Sequence, residues 1–245
     1  MKFFLKKDTG YFFFSNENFY YKIPISLNSF WNLYKENENI KKVKIDKFYK
    51  DFLEQSKYYY FFKKTKKYSK LSIKQNNNFI NFYQKKFFNK KKNLKKQKIV
   101  NSKFFLNIKT IFKKEQRIIN DLKKKFKKHL FLETHCHGDL YFKNILKDKN
   151  KTILIDWNNY QKKGSIYFDI INYLGFSKKL YKGSWYDTWE KNNKLLKKKY
   201  PKIYVNSYVL WKVSQDLDTQ KINHRLIKKL KNIIKNFITH LEQEK

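Results

Sequence analysis

The chain is unusual for the residue types that it lacks. Its 245 residues include no alanine, one cysteine, one methionine, two prolines and five glycines. Because Cys136 is the single thiol, neither an intramolecular disulfide nor a multi-cysteine zinc site can form. No apolar run approaches a membrane span, and the run Phe3–Leu5 is too short for the apolar part of a secretory signal. These absences predict a soluble, cytoplasmic protein.

Arginine is also scarce, since only Arg117 and Arg225 accompany the lysines. The formal net charge of +38 favours binding to polyanions, because clustered lysines release counterions from polyphosphate. Base-specific readout uses the guanidinium fork of arginine, which an ammonium reproduces less well. A chain dominated by Lys, Asn, Ile, Phe and Tyr is also typical of compositional drift. The charge therefore predicts general attraction to anions, but no specific nucleic-acid partner.

Lysine tracts at 85–98, 123–128 and 226–235 leave two interpretations open: solvated helix faces, or contacts with an anionic membrane surface. The remaining composition favours a folded chain, because 41% of the residues are hydrophobic and 20% are aromatic. A chain of this length is large enough for one domain built of two lobes around a shared cleft.

Apolar periodicity predicts α+β structure, with β-strands concentrated near the N-terminus and helices towards the C-terminus. The segment 41–110 gives no clear pattern. The predicted strands are 2–7, 11–14, 18–25 and Lys151–Trp157, and the predicted helices are 28–40 (capped by Asn28 or Ser29), 111–130, 168–176, 185–199, 203–217 and 222–243.

One motif carries chemistry. The run from His137 to Asn144 reads His-Gly-Asp-Leu-Tyr-Phe-Lys-Asn, which matches the kinase catalytic-loop spacing of His, one residue, Asp, four residues and Asn. In such a loop the aspartate, here Asp139, accepts the proton of the attacking hydroxyl or orients it. The asparagine, here Asn144, turns its amide oxygen towards a magnesium ion on the nucleotide phosphates.

A second acid, Asp156, follows 17 residues after Asp139. Asp156 ends the apolar run Ile153-Leu154-Ile155, where a rigid strand can hold a carboxylate against divalent metal ions. Asp139, Asn144 and Asp156 together predict a base and two Mg²⁺ ligands.

The chain resembles the aminoglycoside phosphotransferase and choline kinase family on these residues. His-Gly-Asp-x-x-x-x-Asn is followed by Ile-Asp-Trp at 155–157, and Gly164 and Asp169-Ile170 stand where members carry a glycine and an Asp-Ile or Asp-Leu pair. The specific resemblance covers about residues 135–175. It implies a two-lobed protein-kinase-like fold of one domain over 1–245, with a small antiparallel β lobe at about 1–75 and a larger, mainly helical lobe at 76–245.

The resemblance also implies a lysine on a strand of the N-terminal lobe that binds the ATP phosphates, steadied by a glutamate on a helix. Lys22 is the candidate lysine, and either Glu36 or Glu38 is its partner. A glycine-rich phosphate loop is missing, since Gly10 is the only glycine before Gly138.

Two further residues have structural interpretations. His137 is expected to position the loop backbone, since zinc binding with His135 and Cys136 would need further ligands that are not obvious nearby. Asp169 is expected to brace the catalytic loop or to lie at a helix N-terminus.

The resulting hypothesis is an enzyme that transfers the γ-phosphoryl group of ATP, with Mg²⁺, to a hydroxyl of a small-molecule acceptor. A sugar, amino alcohol, aminoglycoside or lipopolysaccharide-core acceptor is compatible with the motif. The alternative is a catalytically impaired kinase-like protein that binds nucleic acid or anionic membranes through its lysine-rich surface.

Overall fold

The structure, a computed structural model, describes residues 2–6, 10–59, 61–88, 95–177, 184–219 and 222–244. The end of the first predicted strand, Lys7, and residues 89–94 of the tract 85–98 lie outside these ranges. The described strands are β1 Lys2–Lys6, β2 Tyr11–Ser15, β3 Phe19–Pro24, β4 Ser56–Tyr58, β5 Lys63–Lys66, β6 Ser69–Lys70, β7 Lys96–Lys98, β8 Leu130–Leu132, β9 Thr134–Cys136, β10 Ile145–Asp148, β11 Lys151–Leu154 and β12 Gln161–Gly164. The described helices are α1 Leu27–Lys44, α2 Ile73–Phe88, α3 Lys103–Ile111, α4 Gln116–Phe126, α5 Ile166–Ser177, α6 Trp185–Lys199, α7 Lys202–Thr219 and α8 His224–Gln243.

The chain is α+β, as predicted, with small antiparallel sheets and helices concentrated in its C-terminal part. It divides into two compact units. The first comprises Met1–Lys85 and His137–Tyr160, and the second comprises Lys86–Cys136 and Gln161–Lys245. The first unit thus combines the N-terminal strands with the catalytic-loop motif. The predicted lobe boundary at about 75, which depends on the kinase-like fold, stays a prediction.

A five-stranded antiparallel sheet in the order β1-β2-β3-β5-β4 forms one part of the first unit. Its strands are rich in aromatic and β-branched residues that suit a pleated surface. The register places Lys22 of β3 directly beside Lys63 of β5. Helix α1 follows the sheet and is tied to it by Tyr11, whose hydroxyl donates to the Ser29 carbonyl at 2.8 Å.

The catalytic-loop segment belongs to a second sheet of the same unit, with strand order β11-β10-β6. Strands β10 and β11 form a hairpin whose register pairs Ile145 with Leu154. A parallel bridge joins Leu53 to Leu154, and β6 pairs with β10, so the hairpin is anchored from two directions. The C-terminal end of the loop is therefore held by sheet hydrogen bonds.

The aromatic core of the first unit lies behind this hairpin. Trp157 is fully buried, and its ring contacts the buried ring of Tyr49 edge-on at a centroid distance of 5.6 Å. The Tyr49 hydroxyl lies 2.5 Å from that of Tyr83 on α2. Tyr160 donates from its hydroxyl to Asp46 Oδ2 at 2.8 Å. Polar atoms on these rings thus find partners inside the core, as buried groups require.

The second unit is mainly helical. Phe168 of α5 is fully buried and stacks on Trp211 of α7 at 5.0 Å, while Phe104 of α3 meets it edge-on at 5.8 Å. The small sheets β7-β8 and β9-β12 complete this unit. Its amphipathic helix α8 buries one apolar face, which includes Leu230, Ile234 and Phe237.

Most predicted elements are confirmed, namely the strands at 11–14 and 18–25 and the four C-terminal helices. The predicted cap of the first helix was wrong. Ser26 is the N-cap, and it forms a reciprocal capping box with Ser29, so α1 begins at Leu27.

The single predicted helix 111–130 was also wrong. Ile111 ends α3, and a turn separates it from α4, which begins at Gln116. The apolar spacing continued across the turn because Phe112 is fully buried too. Within the described residues, no helix combines the length and apolar character needed to cross a membrane.

Candidate functional site

The second residue of the catalytic-loop motif is a glycine that the fold requires. Gly138 has φ of +85°, which L-residues rarely adopt. A Cβ atom built on it would overlap the carbonyl oxygen of Asn159. The absence of a side chain at Gly138 therefore brings the loop against the segment that follows Asp156.

His137 joins the same two segments. It is fully buried, and its Nε2 lies 2.9 Å from the carbonyl oxygen of Ile155. The backbone N–H of Asp139 donates to Nδ1 at 3.3 Å, which leaves the ring proton on Nε2 to donate to Ile155. The ring also packs on Trp157 at 4.5 Å. These contacts are those expected of the positioning role predicted for His137.

Asn144 is oriented by Asp139. Its Nδ2 donates to the Asp139 backbone carbonyl at 2.9 Å and lies 3.4 Å from Asp139 Oδ2. Asn144 is 4% exposed, and its backbone carbonyl accepts a hydrogen bond from the backbone N–H of Ile155 at 3.1 Å. The amide nitrogen is thereby committed to Asp139. The amide oxygen accepts no hydrogen bond from the described part of the chain and is the atom left for a metal ion.

Asp156 has an unusual backbone. Strand β11 ends at Leu154, three residues before the end of the predicted strand Lys151–Trp157, and Asp156 adopts left-handed φ and ψ of 64° and 65°. A non-glycine residue in this region costs about 1–3 kcal/mol and persists only where its surroundings fix it. Asn158 Nδ2 donates to Asp156 Oδ1 at 2.9 Å. No described residue donates a hydrogen bond to the other carboxylate oxygen.

Helix α1 stabilises this conformation through a residue that the sequence did not single out. Asn39 is buried, and its Nδ2 donates to the carbonyls of Trp157 and Asn158 at 2.9 and 3.1 Å. These two carbonyls would otherwise need partners inside the unit. Asn39 thus holds the backbone immediately after Asp156.

Lys22 lies on the third strand, and its Nζ is 3.1 Å from Glu36 Oε2 on α1. Burial acts to lower the pKa of Lys22, but the nearby carboxylates of Glu36 and Asp156 raise it above its usual range. Glu38 instead pairs with Lys41 at 2.6 Å and is partly exposed. Of the two candidate partners, Glu36 is therefore the one that meets Lys22.

A buried ion cluster surrounds this pair. Lys63 Nζ lies 2.5 Å from both Glu36 Oε1 and Glu54 Oε1, and all three side chains are at most 5% exposed. Burial raises the pKa of Glu36, but Lys22 and Lys63 outweigh it and hold this pKa at about 2. Burial of Glu54 dominates over Lys63 and raises its pKa to about 7. Glu36 is thus the fixed anion between two lysines.

Sequence reasoning missed Lys63 and Glu54, which lie in the unpatterned segment 41–110. Lysine is too abundant for Lys63 to stand out. Glu54 carried a usable signal, because acids number only 20 and this one follows the apolar residues Phe52 and Leu53. A carboxylate on a buried face requires a cationic partner.

The pKa values of two tyrosines respond to the charges of these groups. Burial and the charges of Asp139 and Asp156 raise the pKa of Tyr141 to about 12. Burial also raises the pKa of Tyr11 to about 12, with Lys22, Glu36 and Asp156 among the charges that act on it. Asp156 therefore lies within electrostatic reach of both the loop acid and the Lys22–Glu36 pair.

Asp169 lies in the second unit, in the first turn of α5, and is fully buried. Burial and the Asp169 charge raise the pKa of the buried Cys136 thiol well above its ordinary value. The helix N-terminal position predicted for Asp169 agrees with this location. Its predicted role in bracing the catalytic loop stays a prediction.

The oxygen atoms at the site suit Mg²⁺. No group of three or more His, Cys, Asp or Glu side chains in the described ranges is arranged to hold a metal ion. Magnesium in nucleotide enzymes needs only one or two protein carboxylates, since substrate phosphates and water supply the other ligands. The Asp156 carboxylate and the Asn144 amide oxygen fit that requirement.

Comparison of the chain with protein-family models gave no match, and comparison with curated proteins gave none either.

Proposed function

We propose that this protein is an ATP-dependent phosphotransferase that moves the γ-phosphoryl group to a hydroxyl of a small-molecule acceptor. The observation that carries the proposal is the geometry that fixes the two acidic segments: His137 Nε2 lies 2.9 Å from the Ile155 carbonyl beside Asp156, and Asn144 Nδ2 donates to the Asp139 carbonyl at 2.9 Å. In the same unit, Glu36 holds Lys22 at 3.1 Å, and the Asp156 charge contributes to raising the pKa of Lys22. Phosphoryl transfer needs a phosphate-binding lysine, metal ligands and a hydroxyl-orienting acid within one site.

Each residue has a role in this proposal. Asp139 orients the acceptor hydroxyl and takes up its proton, the hydroxyl oxygen forms a bond to the γ-phosphorus, and the bond from the γ-phosphorus to the oxygen of the β-phosphate breaks, so that ADP leaves. Asn144 and Asp156 would hold Mg²⁺, which would neutralise charge on the phosphates. Lys22 binds the phosphates nearer the nucleoside, and Glu36 fixes its ammonium. His137 and Asn39 position the two backbone segments that carry Asp139 and Asp156.

The fold proposed with this activity is the two-lobed protein-kinase-like one, by the resemblance to aminoglycoside and choline kinases. Two observations support it: the lysine lies on the third strand of an antiparallel sheet, and its glutamate lies on the helix after that strand. The acceptor classes remain sugar, amino alcohol, aminoglycoside and lipopolysaccharide core. A cytoplasmic location, where ATP is supplied, is part of the same proposal.

The alternative, an impaired kinase-like protein, has less support. A scaffold has no chemical need to keep Asn144 oriented by Asp139, or to hold Asp156 in a costly conformation. The glycine-poor N-terminal sheet is the observation that favours it.

The test is magnesium-dependent transfer of labelled γ-phosphate from ATP to a panel of sugars, amino alcohols and aminoglycosides. We expect transfer to one class by the wild type. Asp139→Asn should abolish it while leaving Mg-ATP binding intact, because Asp139 acts on the acceptor. The control is Asp121→Asn on α4, which also replaces one aspartate by asparagine but lies outside the proposed site. A wild type that binds no Mg-ATP would contradict the proposal.

A further inference from the structure

The two faces of the five-stranded sheet differ in chemistry. Side chains alternate between faces along a strand, so Tyr21 lies opposite to Lys22, which points to Glu36 on α1. The strand register aligns Phe14, Tyr21, Lys64 and Lys57 in one row across β2, β3, β5 and β4. It pairs Phe19 with Lys66 in a second row on the same face. We define the outer face by the members of these rows, which are Phe14, Phe19, Tyr21, Lys57, Lys64 and Lys66.

Aromatic rings on the outer face are only partly covered. Phe14 and Tyr21 stack at 4.3 Å with an interplanar angle of 5°. Two aromatic residues between β4 and β5 adjoin this face: Phe62 lies 6.1 Å from Tyr21, and Tyr59 stacks on Phe62 at 4.5 Å and is 47% exposed. None of these four residues is buried. Flat, accessible rings of this kind are stacking surfaces for other planar rings.

Lysines stand beside these rings without acidic partners. Lys64 Nζ lies 4.0 Å from the Phe19 ring centroid and 5.8 Å from that of Tyr21. Within the described ranges, Lys57, Lys64 and Lys67 form no ion pair, whereas Lys66 pairs with Asp148. The lysines of the opposite face, by contrast, are neutralised by buried glutamates. The outer face therefore retains positive charge next to aromatic surface.

A cavity of about 680 Å³ opens at one end of this face. Phe19 and Tyr59 line it together with four lysines and the polar residues Glu17, Asn18, Gln55 and Ser56; the lysines are Lys57, Lys64, Lys66 and Lys67. Its volume falls in the range of ligand sites, about 300–1,000 Å³. Lys66 is paired with Asp148, so three ammonium groups that form no ion pair within the described residues face the single carboxylate of Glu17, and this excess of positive charge favours an anionic occupant.

We propose that the outer face binds single-stranded nucleic acid without sequence preference, with bases stacked on the aromatic rings and phosphates on the lysines. Single-stranded nucleic acid combines planar rings with regularly spaced negative charge, which is the chemistry this face offers. Insertion into a lipid surface uses apolar side chains that project into the acyl region. The rings here form two stacked pairs, Phe14 with Tyr21 and Tyr59 with Phe62, beside lysines that form no ion pair in the described part of the chain. A planar base can extend such a pair while its phosphates meet the lysines. This binding would not depend on phosphotransferase activity.

The test is fluorescence anisotropy with a labelled oligothymidylate of about 12 nucleotides, within the usual site sizes. Because the net charge of +38 attracts any polyanion, the key comparison is between charge-matched variants. Lys57→Gln/Lys64→Gln removes two charges from the outer face. Lys123→Gln/Lys124→Gln removes two exposed charges from α4. Phe19→Leu removes a ring while keeping an apolar side chain.

We expect Phe19→Leu to weaken binding about tenfold. The outer-face double variant should reduce the slope of log K against log salt by about 1.4, the value for two lost phosphate contacts with a single strand. The α4 double variant should leave the slope unchanged. Wild-type unfolding temperatures in all variants would establish that the fold is intact.

Equal loss in both double variants, with no effect of Phe19→Leu, would overturn the proposal and indicate general electrostatic attraction. So would an outer-face dependence found only with vesicles of phosphatidylserine and phosphatidylcholine. Mg-ATP binding, measured in parallel, separates this result from the phosphotransferase proposal, since none of the substituted residues belongs to that site.

Discussion

Replacing Glu36 by glutamine removes the central anion of the buried ion cluster at almost constant volume. Glu36 accepts from Lys22 at 3.1 Å and from Lys63 at 2.5 Å, and its side chain is 1% exposed. Lys63 retains Glu54 as a second carboxylate at 2.5 Å. Of the two carboxylates that act on Lys22, only Asp156 would remain, while the positive charge of Lys63 would still act against it.

The expected loss is large. Breaking a buried pair by removing one partner costs about 3–5 kcal/mol, because the remaining charge is left uncompensated. Glu54 can ionise to neutralise Lys63, so the lower end, about 3 kcal/mol, is expected for Glu36→Gln. In a chain of this size each kcal/mol lowers the melting temperature by about 2–4 °C, which gives a decrease of about 6–12 °C.

Thermal and urea unfolding of the two proteins measure this loss. Glu38→Gln is the matched control on the same helix, because Glu38 pairs only with the exposed Lys41. It should unfold together with the wild type. If Glu36→Gln also melted at the wild-type temperature, the buried cluster would not be what fixes α1 to the sheet, and the argument for Lys22 positioning would fail.

Three more predictions follow from the same unit. The pKa of Glu54 is raised from 4.5 to about 7, so the folded protein keeps a proton that the unfolded chain loses. Its contribution to stability therefore falls as the pH rises from about 4.5 to about 7, by about 3 kcal/mol, and urea unfolding of Glu54→Gln should lack this decline. Gly138→Ala should reduce phosphate transfer at least about 100-fold, since a 1 Å shift of a positioned group has that effect. The control is Gly175→Ala, where the nearest atom to an added Cβ is 3.8 Å away; this variant should be active and slightly more stable. Asn39→Ala leaves two carbonyls unpaired and should cost about 1–3 kcal/mol in urea unfolding, together with slower transfer; unchanged transfer would refute its positioning role.

Motif spacing predicted the local arrangement of the loop because its determinants are close in sequence. Asp139 and Asn144 contact each other across five positions, and His137 contacts Ile155, from which it is separated by the single β10–β11 hairpin. Lys22 was found because it lies in a well-patterned strand. To identify its partner, one must know which way each side chain of α1 points: Glu36 faces the sheet, whereas Glu38 lies beside Lys41.

Long-range contacts explain what the sequence did not reveal. Asn39 meets Trp157 and Asn158 across more than a hundred residues, and no local pattern distinguishes it from the many other asparagines. Lys63 is one of many lysines. Its role is seen only from the strand register, which places Lys63 of β5 beside Lys22 of β3. The turn between α3 and α4 was missed because Phe112 keeps the apolar spacing while the backbone leaves the helix.

Helix α1 contacts two parts of the site, the Lys22 ion pair and the backbone after Asp156. Glu36 and Asn39 lie one turn apart, so a shift of this helix changes the Lys22 ion pair and the backbone after Asp156 together. Binding energy gained at one part would therefore lower the free energy needed to order the other. If Lys22 binds phosphate and Asp156 binds metal, nucleotide and Mg²⁺ should each increase the affinity for the other by the same factor. Asn39→Ala, which substitutes neither Lys22 nor Asp156, should reduce that factor.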